Sequence, residues 1–223
     1  MTMALLDPAR APLLAAALSV AVLHTVVGVD HYLPFIVLGR ARKWSLGKVL
    51  GITAACGAGH VIGSIGLGFI GIALGTALGM MEWIESVRGS MAAWGLILFG
   101  LGYMAWSARR LHKNAEHGHS HDLSDGQKAG SVSFWSLFIV FALGPCEPLI
   151  PVLMVPAFEQ DWWLVAQVAG LFSVSTIGSM LVMATIGTMG LRLAPLKSVE
   201  RYGNLAAGFA ILASGLAIQF LGI

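Results

Sequence analysis

Apolar positions along this chain do not alternate with polar ones; they run on. Six segments, roughly 12–39, 46–78, 90–108, 132–157, 162–190 and 203–222, are almost continuously apolar. About 20 such residues cross a bilayer as helix. The pattern predicts an all-α polytopic membrane protein with six transmembrane helices. The second segment is long and glycine-rich, which suits a tilted or broken helix. The first runs on to a basic loop with no clear cleavage site before it, so it reads as a span rather than a signal peptide. Two segments carry an interruption. "HTVVGVDHYLPF" (24–35) lies inside the first and "GPCEPLIP" (144–151) inside the fourth. Gly28, Pro34, Gly144, Pro145, Pro148 and Pro151 are the expected helix breaks, since proline removes a backbone donor and disfavours helix in the residue before it.

The interruptions correspond to one another. "GVDHYLPFIVL" (28–38) aligns with "GPCEPLIPVLM" (144–154), which sets Asp30 opposite Cys146 and His31 opposite Glu147. "GHVIGS" (59–64) aligns with "VSTIGS" (174–179), placing His60 opposite Ser175, and "SVRGSMAAWGLILFGLG" (86–102) resembles "SVERYGNLAAGFAILASGLA" (198–217). Order and spacing hold across all three matches. The expected organisation is a three-helix repeat over 1–108, a His-rich loop over 109–131 and a second three-helix repeat over 132–223. Three spans per repeat is an odd number, so the second copy enters the membrane inverted. Inverted repeats with broken helices are a recurrent plan of secondary transporters, with the substrate site near the midplane.

Charge sets the orientation. Arg40, Arg42, Lys43 and Lys48 lie in the first loop, Arg109, Arg110, Lys113 and Lys128 in the third, and Arg192, Lys197 and Arg201 in the fifth. The opposite side holds Arg10 and Arg88 beside Glu82, Glu85, Glu159 and Asp161. The Lys/Arg bias places the basic loops in the cytoplasm and both termini outside an inner (plasma) membrane. Composition agrees: 57% of residues are hydrophobic and 11% charged, against about a quarter charged in soluble domains. A net charge of +2 gives no reason to expect nucleic acid as a partner. Cys56 and Cys146 both lie in apolar segments, so they are no extracellular disulfide framework.

The ionisable side chains expected deep in the membrane are His24, Asp30, His31, His60 and Glu147, with Cys146 as a thiol and no lysine or arginine among them. An ionised carboxylate there costs about 2.5–3.5 kcal/mol on insertion scales, so a proton or a bound cation must neutralise it. Imidazole, carboxylate and thiolate together suit a borderline divalent metal such as nickel, cobalt or zinc. The expected metal site is therefore His24, Asp30, His31, His60, Cys146 and Glu147. His24 and His31 share a face if their helix is continuous. In the central loop His112, His117, His119 and His121 form a short His-rich tract, which suits auxiliary capture of transition metal.

These motifs carry a resemblance. "HTVVGVDH", "GHVIGS" and the His-rich loop resemble the NicO and UreH-type nickel/cobalt transporters, and the three-plus-three plan with "GPCEPLIP" resembles the wider LysE superfamily. The resemblance implies metal ligands at His24, Asp30 and His31, with His60 contributing from the second span. The nickel permeases place four residues between the first His and the Asp-His pair; "TVVGV" here has five. One extra residue turns a side chain by about 100° on a continuous helix, unless Gly28 loosens that turn. "GPCEP" also resembles the DsbD/CcdA thiol carriers, which use a cysteine in each repeat.

The function expected is transport of a divalent transition metal, nickel or cobalt before zinc, by alternating access around the midplane site. The metal is substrate; no organic cofactor and no enzymatic activity are expected. Metal ligands must lose protons to bind, so transport should depend on pH. The alternative is a transmembrane thiol carrier using Cys56 and Cys146. Expected partners are membrane lipid, a cytoplasmic metallochaperone or metalloenzyme maturation factor served by the His loop, and a second copy of the chain.

Overall fold

The computed structural model describes residues 10–73, 78–116, 134–144, 146, 148–193 and 199–221. Among them every regular element is helical. The helices are α1 (Ala11–Val27), α2 (Leu33–Ala41), α3 (Leu46–Ala73), α4 (Leu78–Glu116), α5 (Phe134–Leu143), α6 (Leu149–Phe158), α7 (Trp162–Leu193) and α8 (Val199–Leu221). The first apolar segment is thus two helices joined by a 3-10 turn, Val29–His31. α1 ends where Gly28 leaves helical geometry (φ −72°, ψ 86°), its N–H still bonded to the His24 carbonyl at 2.9 Å. Pro34 stands in the first turn of α2, where its missing N–H has no intrahelical partner to lose. The fourth segment is likewise divided, α5 before Gly144 and α6 after Pro148, which caps it. Pro145 lies outside the described residues.

Among the described residues four helices are long and apolar enough to cross a membrane: Leu46–Ile72, Trp83–His112, Trp162–Leu191 and Tyr202–Leu221. α1, α5 and α6 are apolar but shorter. The outer surface matches a lipid environment. Leu23, Ile62, Leu98, Val174 and Phe209 are all more than half exposed, at 61–73%, where a soluble protein would carry polar groups. Aromatic side chains mark both ends of this apolar surface: Trp83, Trp162 and Trp163 at one, Trp106 and Tyr202 at the other. Along α4, Trp83 and Trp106 stand about 35 Å apart at 1.5 Å per residue, close to a hydrocarbon core plus part of each interface.

Side-chain contacts define the two ends. At the basic end Arg42 Nε donates to Tyr103 Oη (3.2 Å) and Tyr103 Oη donates to Asn204 Oδ1 (2.8 Å). At the other, Arg10 pairs with Asp161 at 2.9 Å and Ser90 donates to Gln219 at 3.1 Å. α4 and α8 run antiparallel through the most intimate seam in the bundle. One apolar cluster gathers Phe35, Leu38, Val49, Cys56, Leu96, Leu137, Phe141 and Met180. Another gathers Ala17, Ala21, Cys146, Leu149, Leu153, Val168 and Phe172.

Two boundaries differ from the hydropathy reading: α3 ends at Ala73 rather than 78, and the start of α4 differs more. α4 begins at Leu78, not near residue 90, so Glu85 and Arg88 belong to the helix rather than to a loop. Their charges interrupt the apolar run, but they face each other one turn apart, Arg88 Nη1 to Glu85 Oε1 at 2.6 Å. Paired, they allow the helix to continue.

Candidate metal centre

Three imidazoles meet where α1, its 3-10 turn and α3 come together. His24 stands in the last turn of α1, His31 ends the 3-10 turn, and His60 lies near the middle of α3. The His31 ring packs edge-on against both others, with centroids 4.8 Å from His24 and 5.2 Å from His60. One ring nitrogen from each lies within 4.8 Å of the other two. Some point is then within about 2.8 Å of all three, against metal–imidazole bonds of about 2.0–2.1 Å. An ion at that point would draw each ligand inward by less than an ångström.

The hydrogen bonds decide which nitrogen is available. His31 Nδ1 is 3.0 Å from the Gly28 carbonyl and 3.3 Å from Asp30 Oδ1. His60 Nδ1 is 3.2 Å from the Phe141 carbonyl. All three acceptors call for the proton on Nδ1, which leaves Nε2 of His31 and His60 with its lone pair. The Nε2 atoms of His24, His31 and His60 are all buried with no hydrogen-bond partner among the described residues. Leaving a buried polar atom unsatisfied costs about 1–3 kcal/mol. Three in one place form a donor set that a borderline divalent cation satisfies and an apolar molecule does not. The carboxylate-to-imidazole contact of Asp30 is the arrangement that orients a metal-binding histidine from behind.

A cavity of about 430 Å³ adjoins the imidazoles. Its lining includes His24, Asp30, His31 and His60, with Ser86, Ser90 and Gln219 among apolar neighbours such as Leu96, Val140 and Ile218. Ser86 and Ser90 lie in the first part of α4 and Gln219 near the end of α8.

The structure brings His24, His31, His60 and Asp30 to this one place. His24 and His31 meet across the break: α1 ends before Gly28, and the 3-10 turn that follows carries His31. Cys146 is fully buried among Ala17, Ala21 and Leu149 and is not among the residues that line the cavity. Glu147, His117, His119 and His121 lie outside the described residues; His112 is exposed near the end of α4. No disulfide links Cys56 and Cys146, which pack into different apolar clusters. Hydropathy missed Arg88. Set outside the third segment by hydropathy, it lies within the apolar stretch of α4 with its side chain 15% exposed, beside a Glu85 side chain that is 1% exposed. Its sequence signal is the Glu-x-x-Arg spacing, which puts both charges on one helical face.

No family model, curated protein or solved structure matches this chain.

Proposed function

We propose that this protein is a membrane transporter for a divalent transition-metal cation, nickel or cobalt before zinc, with His24, His31 and His60 as ligands. The observation that carries the reading is the meeting of three buried imidazoles beside a cavity, one ring nitrogen of each within 4.8 Å of the others and each with an unpartnered Nε2. A purely structural cluster would leave those atoms unsatisfied at about 1–3 kcal/mol each. In this reading Asp30 acts on His31 rather than on the ion, and its carboxylate supplies negative charge beside the bound cation. Glu147 remains a proposed contributor from the second half. The alternative thiol carrier has no observation in its favour.

The transport mechanism rests on two inverted repeats. Element order supports it: helix, break, helix, then two long helices (α1 to α4), recurs as α5 to α8. The matching helices α4 and α8 pack antiparallel, as a two-fold axis in the membrane plane requires. In this plan α1–α2 and α5–α6 each cross as a broken pair, completing six spans, and the halves rock about the imidazole cluster. The basic end is cytoplasmic, which places the His-rich loop inside as a site of capture or hand-over and both termini outside.

The test is uptake of radiolabelled nickel into proteoliposomes. His31→Ala and His60→Ala are expected to abolish saturable uptake, and Asp30→Ala to reduce it about 10–100-fold, as loss of an outer partner typically does. Uptake at the wild-type rate by both histidine variants would overturn the site.

A further inference from the structure

At the end of α5 the backbone turns out of helix, where the last carbonyls lack the regular intrahelical donors; the Gly144 N–H donates back to the Val140 and Phe141 carbonyls at 2.9 and 3.1 Å. Two side chains from other helices supply further donors. His60 Nδ1, from α3, meets the Phe141 carbonyl. Arg88 Nη2, from α4, donates to the carbonyls of Ala142 (3.1 Å) and Gly144 (3.4 Å). Its other guanidinium nitrogen is held by Glu85. The guanidinium therefore does two things at once: it caps a broken helix whose C-terminal end is partially negative, and it ties that end to α4. Because Glu85 neutralises it locally, it does so without placing an uncompensated positive charge beside a cation site. The space is prepared by glycine. A methyl group at Gly63 would fall 2.7 Å from the Ala142 oxygen and 3.2 Å from Arg88 Nη2. One at Gly144 would fall 3.3 Å from His60 Nδ1.

We infer that Arg88 is a positioning residue for the imidazole cluster: by holding the Ala142 and Gly144 carbonyls it fixes the Phe141 carbonyl, and through it the orientation and tautomer of His60. The inference rests on the transport reading only in taking the cluster to bind metal. The linkage also joins the two halves of the molecule, since Arg88 and His60 belong to the first and the helix end they hold begins the second. An arginine suits this better than a lysine, because its planar fork serves a carboxylate and two carbonyls together.

The test uses the full chain in detergent with His112, His117, His119 and His121 changed to alanine, and cobalt(II) alone as the probe. Arg88→Gln is expected to weaken cobalt binding about 10–100-fold and to change the ligand-field absorption of the complex. Arg88→Lys, which keeps the charge and one direction of donation, should recover part of the loss and guards against a variant that does not fold. In a His60→Ala background Arg88→Gln should add less than about twofold, because its effect passes through His60. A second readout needs no metal: nitrogen-15 imidazole spectra should show His60 protonated at Nδ1 when Arg88 is present and a mixture of tautomers in Arg88→Gln. If the Arg88 protein binds cobalt and Arg88→Gln binds it equally well, or loses the same factor with and without His60, the inference is overturned while the metal site stands. If the Arg88 protein binds no cobalt, the transport reading and the inference fall together.

Discussion

A methyl group on Gly28 would fall 2.6 Å from His31 Nδ1 and 2.9 Å from the His24 carbonyl. That residue makes the site possible twice over. Its backbone leaves helical geometry, and its missing side chain lets His31 fold back onto the Gly28 carbonyl. Gly28→Ala should therefore displace His31 and weaken cobalt binding about 10–100-fold; spectroscopic titration of purified protein checks it, and unchanged affinity would contradict this role. Much of the site was legible beforehand. Histidines and a carboxylate inside apolar segments announce themselves, because lipid gives them no solvent. Two things were not legible. On a continuous helix His24 and His31 would share a face about two turns apart, but the chain leaves helix at Gly28 before His31. Asp30 reads as a ligand in sequence, yet its oxygen lies against His31 Nδ1. That distinction depends on side-chain direction, which spacing does not encode.

The helices illustrate a different division. Long apolar runs predicted most boundaries closely, because the bilayer length imposes them. The start of α4 escaped, since a Glu–Arg pair interrupts hydropathy without interrupting the helix. What holds the helices together was visible only as glycine content. In the α4–α8 seam a methyl on Gly100 would meet the Leu212 nitrogen at 2.6 Å and the Gly208 oxygen at 2.9 Å, and one on Gly215 the Ala93 oxygen at 2.9 Å. These obstacles are backbone, not flexible side-chain ends. Close backbone approach is how helices associate where lipid is as apolar as leucine. Gly100→Val is expected to destabilise the protein by about 1–3 kcal/mol, read as a lower midpoint in thermal or detergent-denaturant unfolding. The same change at Gly102, where a methyl meets nothing within 4 Å, should have little effect, and equal losses at both positions would count against the seam.

Among the described residues, three imidazoles and Asp30 gather beside one cavity, which Ser86, Ser90 and Gln219 also line. Large apolar side chains are exposed on the outside of the helices. The internal match between halves pointed to such a place from sequence, since it set Asp30 and His31 against a second break more than a hundred residues on. His60 of α3 was expected there too, as an ionisable side chain inside an apolar segment, but how the helices pack to bring it against His31 has no periodicity to read. The claim on which everything else depends is that this cluster holds a transition-metal ion. X-ray absorption at the cobalt edge tests it most directly, on the full chain with His112, His117, His119 and His121 changed to alanine. The expected spectrum shows imidazole nitrogens at about 2.0–2.1 Å, with the imidazole contribution reduced in His60→Ala. A shell of oxygen alone, or an imidazole contribution that His60→Ala leaves intact, would contradict it.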